Sequence, residues 1–239
     1  MTVFGIDIAS YQAGLELAGL DGIDFVIAKA TEADGYANPH YAGWQAAAPR
    51  AGKLFAWYHF LTTTAGSAAQ AAWTARHVDG ALPGMLDVEA TGGSAPRLPD
   101  VLGYLDAAEA AGLRVRLVYL PRWYWQRIGA PDLAPLTARG IGIVSSHYPV
   151  AAPSGTAQGY AAAGGDAGVG WLAYGNASPL IWQFTDAAPQ GGQKVDADAY
   201  RGSREQFAAF LAGGAARARP RPDLTEPRHS HPMIRHRDA

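Results

Sequence analysis

Gly84-Met85-Leu86-Asp87-Val88-Glu89 is a short apolar run that ends in two carboxylates one residue apart. Side chains alternate faces along a β-strand, so Asp87 and Glu89 would share a face, with Cβ atoms roughly 6.5–7 Å apart. Two carboxyl groups at that distance can divide acid and base work. The separation falls between those of retaining and inverting glycosidases, which points to carbohydrate hydrolysis without fixing its stereochemistry. The same residues also fit a plainer role, with Asp87 capping a turn and Glu89 in solvent. Asp7, at the end of another apolar run, poses the same choice between site residue and cap.

The surrounding chain alternates short apolar runs with Ala-rich stretches. Strands are expected at Thr2 to Asp7, Asp24 to Lys29, Lys53 to His59, Gly84 to Glu89, Arg114 to Tyr119, Ile141 to Ser145 and Leu180 to Phe184, with Val169 to Ala173 a weaker candidate. Helices are expected at Ala65 to Val78 and Val101 to Ala111, the second stopped by Gly112. Strand, helix, strand at this spacing argues for a parallel sheet, and about eight strands fit an irregular TIM-like β/α barrel. An open doubly wound sheet is the rival, but no glycine-rich phosphate loop follows the first strand. In a barrel, Asp7, Lys29, His59, Asp87, Glu89 and Tyr119 would gather at the C-terminal ends of the strands, where β/α barrels build active sites.

Composition narrows the function classes. The 239 residues carry a formal net charge of −2, and residues 213–239 hold six Arg against three acids. The preceding body is therefore near −5, which speaks against nucleic-acid binding. With no cysteine, thiolate catalysis and Cys-ligated zinc are excluded. No apolar run reaches membrane-spanning length, and no basic, then apolar, leader opens the chain. A soluble protein without membrane insertion is expected, one that would stay in the cytoplasm of a host cell until released to act outside it.

Six motifs in order carry a resemblance to a known family: Gly5-Ile6-Asp7-Ile8-Ala9-Ser10-Tyr11-Gln12, Lys29-Ala30-Thr31-Glu32, Trp57-Tyr58-His59-Phe60, Leu86-Asp87-Val88-Glu89, Trp182-Gln183-Phe184-Thr185-Asp186 and Val195-Asp196-Ala197-Asp198. Together they resemble glycoside hydrolase family 25, the N-acetylmuramidase type of lysozyme, over roughly residues 3–212. The stretch Tyr119-Leu120-Pro121-Arg122-Trp123-Tyr124-Trp125 is similar to lysins of phages that infect high-GC bacteria.

The resemblance implies a peptidoglycan hydrolase that cleaves the β-1,4 bond between N-acetylmuramic acid and N-acetylglucosamine. It implies neither metal nor cofactor and a monomer as the working unit. Glu89 matches the general acid, and its carboxyl is expected to hold a proton near neutral pH because of Asp87 and other nearby carboxylates. Asp87 and Asp7 match the two aspartates of the site floor, which either position the substrate's 2-acetamido group as nucleophile or stabilise an oxocarbenium-like charge directly. Asp196 is the choice for a fourth carboxylate, with Asp186 and Asp198 as alternatives. Asp198 stands where the family usually has Asn; its extra charge would either raise neighbouring carboxyls or face solvent, and solvent is the expectation.

Trp57, Tyr58, Tyr119, Trp123, Tyr148 and Trp182 lie near or just beyond strand ends, where rings can stack on sugars or a phenol can meet an acetamido carbonyl. Core packing is the alternative for each, and Tyr58 and Tyr119 match groove positions of the family. His59 should point away from Tyr58 and be buried and hydrogen-bonded, while Lys29 and Glu32 should pair and brace the floor. Residues 151–170 are expected to form a long loop walling the groove. The domain is expected to span residues 1–212, followed by a disordered tail, residues 213–239, that could hold the enzyme near anionic wall polymers. Its His229, His231 and His236 are expected to bind nothing specific. Two other readings stay open, a catalytically silent barrel that binds walls or builds a virion, and a related barrel acting on another glycan. The intact Asp7, Asp87 and Glu89 argue against the first.

Overall fold

The computed structural model describes residues 1–151 and 153–214. The strands are β1 (Val3–Ile8), β2 (Phe25–Glu32), β3 (Tyr36–Ala37), β4 (Leu54–Phe60), β5 (Pro83–Asp87), β6 (Arg114–Tyr119), β7 (Gly142–Ser146), β8 (Pro179–Gln190) and β9 (Gln193–Tyr200). The helices are α1 (Tyr41–Arg50), α2 (Ser67–Ala75), α3 (Leu98–Ala110), α4 (Arg122–Arg127), α5 (Ala134–Thr137), α6 (Thr156–Ala162) and α7 (Arg204–Leu211). Eight strands close a ring in the order β1-β9-β8-β7-β6-β5-β4-β2, completed by the β1–β2 pairing, and short β3 hangs on the edge of β2. The expected β/α barrel is thus present, with one irregularity: β9 runs antiparallel to both its neighbours. Gly191 and Gly192, at φ 54° and 77°, make the tight β8–β9 turn that only such backbone conformations allow.

The eighth barrel strand is β9, not the Val169 to Ala173 stretch. Val169–Trp171 forms a single 3-10 turn instead. A Cβ on Gly168 or Gly170 would stand 2.4 or 2.1 Å from the Trp182 indole, so this segment coils tightly over that ring rather than pairing as a strand. The region 151–170 also differs from the expected loop, because it contains α6 and two 3-10 turns. Tyr160 of α6 packs edge-on against Phe4 and Phe184, and Asp166 accepts a hydrogen bond from Thr2. Those contacts fasten it to the barrel flank, and none of its described residues lines the cleft.

Strand alternation sorts the core into two compartments. Residues pointing outward, among them Ile6, Ile8, Val26, Trp57, Leu86, Val88 and Trp182, pack beneath the helices. Residues pointing inward, among them Phe25, Ile27, Met85, Leu117, Val144 and Ile181, fill the bore. Gly5 faces the bore because the Phe25 ring occupies the space its Cβ would take, 2.1 Å away. The lower end of the bore is closed by α7, whose Phe207, Phe210 and Leu211 insert into it. A reciprocal capping box starts that helix: Ser203 Oγ accepts from the Gln206 N–H, and Gln206 Oε1 accepts from the Ser203 N–H. At its other end Arg114 and Arg116 donate to the carbonyls of Leu211 and Phe210. Helix α3 stops as expected at Gly112, with φ 77°.

Candidate active site

The upper end of the bore opens into a cleft of about 470 Å³ at the C-terminal ends of the parallel strands. β1 brings Asp7 to it, β2 Lys29 and Glu32, β4 Tyr58 and Phe60, β5 Met85 and Asp87, β6 Tyr119, β8 Gln183, and β9 Asp196. Glu89 follows two residues beyond Asp87. The Val88 N–H still donates to the Tyr119 carbonyl at 2.9 Å, so the chain stays extended and the two carboxylates share the cleft face while Val88 points into the outer core. The turn-cap alternative for Asp87 finds no support, since its carboxylate is buried and Oδ1 has no hydrogen-bond partner among the described residues.

Asp7 is held firmly. Gln183 donates Nε2–H to Asp7 Oδ2 at 2.6 Å, and its Oε1 accepts from the Tyr148 hydroxyl. This fixes the Gln183 amide and aims it at Asp7. Across the β1–β9 ladder Asp7 stands opposite Asp196. Burial pushes the Asp196 carboxyl up to about 9, with help from the Asp7 and Asp186 charges. Burial and then the Asp198 charge raise Asp7. Of the three candidates for a fourth carboxylate, only Asp196 lines the cleft. Asp186 is exposed on the β8–β9 hairpin.

Asp198 corrects one expectation. It does not face solvent: it is 1% exposed, two residues below Asp196 on the same inward face, and neither of its oxygens has a partner among the described residues. Burial, reinforced by Asp196, pushes its carboxyl well above the usual range.

Glu89 is partly open at the cleft mouth, and burial raises its carboxyl while the Lys29 charge pulls it down. Asp87, deeper, is raised well above the usual range first by burial and then by Glu89. The repulsion expected to act on Glu89 therefore bears chiefly on Asp87, and burial does most of the lifting at Glu89.

The aromatic candidates divide sharply. Tyr58, Tyr119 and Tyr148 line the cleft, and burial raises all three phenols, so they remain hydrogen-bond donors. Trp57 and Trp182 are 0% exposed in the outer core, their indole N–H groups donating to the Leu82 and His147 carbonyls, and neither can stack on a sugar. Trp123 is 49% exposed on α4 and does not line the cleft. His59 is buried as expected, stacked on Tyr104 and bonded to Thr31 and Gln70. Burial lowers its imidazole to about 4, which leaves it neutral. The tail histidines lie outside the described residues.

The chain matches the family model described as Glycosyl hydrolases family 25 over residues 6–193. It belongs to that family. It is 31% identical to an N,O-diacetylmuramidase of a Chalaropsis species over 212 residues, 80% of this chain and 92% of that one. Its barrel superposes on a bacterial lysozyme from Streptomyces coelicolor with a TM-score of 0.69 at 21% identity, covering 89% of this chain and 98% of the other. It also superposes on the catalytic domain of the endolysin of Listeria phage P40, with a TM-score of 0.62 at 14% identity over 89% and 98% of the two chains. These last two likenesses concern the fold. Among the described residues, no helix is long and apolar enough to cross a membrane.

Proposed function

We propose that this family 25 glycosidase is a muramidase that cleaves the β-1,4 bond between N-acetylmuramic acid and N-acetylglucosamine in bacterial peptidoglycan, with residues 1–212 as its catalytic unit. The observation that carries the reading is the convergence of Asp7, Asp87, Glu89 and Asp196, from three parts of the chain, on one cleft. Family membership and the muramidase of Chalaropsis support the same substrate class.

Glu89 is the general acid: its partly open position lets it reach a glycosidic oxygen, and burial raises its carboxyl, which favours the protonated form. Asp87 sits beside it with a free Oδ1 buried in the floor. Burial raises both carboxyls, so the pair favours holding a proton. A sugar acetamido N–H donated to Asp87 favours its ionised form and shifts that proton to Glu89. Substrate binding thereby loads the acid. It also orients the acetamido carbonyl oxygen toward the anomeric carbon as the internal nucleophile, which removes the need for a carboxylate at nucleophile distance. Asp7 and Asp196 line the floor below the reacting sugar, and Tyr58, Tyr119 and Tyr148 supply phenol donors and ring surface.

The test uses purified cell walls, wild type and Glu89→Gln, with the new reducing ends identified chemically. Muramic acid ends from wild type alone are the expected result. Glucosamine ends would move the enzyme to another linkage, and equal inactivity of both proteins would leave a wall-binding barrel.

A further inference from the structure

Lys29 is the one cationic side chain among the described residues that line the cleft, against the carboxylates of Asp7, Glu32, Asp87, Glu89 and Asp196. Its ammonium lies 2.6 Å from Glu32 Oε2 and 4.7 Å from the centre of the Phe60 ring, with Tyr36 and Tyr58 on its other sides. Residues three apart on a regular strand point to opposite faces, so this pair ought not to exist. A bulge permits it. The β2–β4 register passes from Lys29↔Tyr58 directly to Thr31↔His59, which leaves Ala30 as an extra residue and turns Glu32 onto the face of Lys29. The fold thus spends a strand irregularity on placing an anion beside the cleft's cation.

We propose, building on the assignment of Glu89 as the acid, that Lys29 tethered by Glu32 is a positioning residue that sets how far toward alkaline pH the Asp87–Glu89 pair keeps its working proton. Lys29 acts on both members of the pair, drawing each carboxyl downward against burial. Glu32 holds the ammonium in place and offsets part of its charge. The other ionisable groups facing the pair are Asp7 on β1, Asp196 on β9, Tyr58 on β4, Tyr119 on β6 and Tyr148 after β7. The three phenols stay neutral through the range, and both aspartates raise Asp87. Lys29 is therefore the sole downward pull from a charge lining the cleft.

The two halves of the tether should move the enzyme in opposite directions. Lys29→Met extends the alkaline limb of kcat/KM on peptidoglycan to higher pH, and about threefold more of the maximal rate survives where wild type is fading. Glu32→Gln frees the ammonium's field and retracts the limb by a comparable factor, while Lys29→Met/Glu32→Gln lies between the singles. Lys29→Arg, which keeps the charge, keeps the wild-type profile. Carboxyl NMR titration of the Asp87–Glu89 pair reads the same shifts without turnover. Coincident titrations in all variants, or shifts in one direction for both single substitutions, would reduce the pair to a structural brace and overturn the proposal. If wild type cleaves no glycan yet the titrations diverge as stated, the tether stands and the catalytic assignment falls.

Discussion

The two ends of the barrel bore are built from the same strands by opposite rules. At the lower end Phe25, Leu117, Ile181, Phe207 and Phe210 interlock without a charge among them. At the upper end, a strand or two residues further on, Asp7, Asp87, Asp196 and Asp198 crowd together, and three of their oxygens, one on Asp87 and both on Asp198, have no partner among the described residues. Burial of apolar surface stabilises the first end, whereas each desolvated carboxyl opposes folding in its charged form. The plug at the bottom offsets the unfavourable chemistry at the top. Activity and stability are separable along one axis.

The largest effect that can test this separation is at Glu89. Glu89→Gln should lose activity by about a thousandfold while the thermal midpoint holds or rises, because a half-buried carboxyl lifted by desolvation is replaced by a neutral amide. A parallel loss of stability, seen by calorimetry, would break the contrast. Next comes Phe210→Ala at the plug, expected to cost about 3–4 kcal/mol in urea unfolding with kcat of the folded fraction nearly unchanged. The smallest effect is pH dependence. The folded state keeps on Asp196 a proton that the unfolded chain gives up near its ordinary value of 3.8, so that stabilisation is full below about 4 and is lost as pH rises toward about 9. Urea midpoints should fall between pH 5 and 8.5, and Asp196→Asn should flatten the decline.

Much of the barrel was legible because seven of its eight strands are apolar runs with clear ends. The D-x-E pair was legible for the same reason, as strand parity alone puts both carboxylates on one face. That parity reaches further than expected. It assigns Tyr58 to the cleft and therefore sends Trp57 outward. It does the same for Gln183 and Trp182, and it forces Asp198 inward once Asp196 points there. Gln183, the donor that aims Asp7, was hidden in the Trp-Gln motif and could have been found by this rule. Other features leave no such trace. The coil over Trp182 depends on a ring supplied by the next strand, β8, and α6, with Gly159 inside it, is a weak helix former that relies on Tyr160 packing. The bulge at Ala30 is invisible in composition, since an alanine neither demands nor forbids it.

The antiparallel strand β9 has a consequence for when the site exists. It closes the ring by pairing with β1, so Asp7 and Asp196 become neighbours only when the first and last strands of the barrel meet, and the Gln183–Asp7 bond spans 176 residues of chain. A chain leaving the ribosome without β9 has an open sheet, an unpaired β1 edge and half a floor. The floor that carries both Asp7 and Asp196 is therefore complete only once the ring has closed.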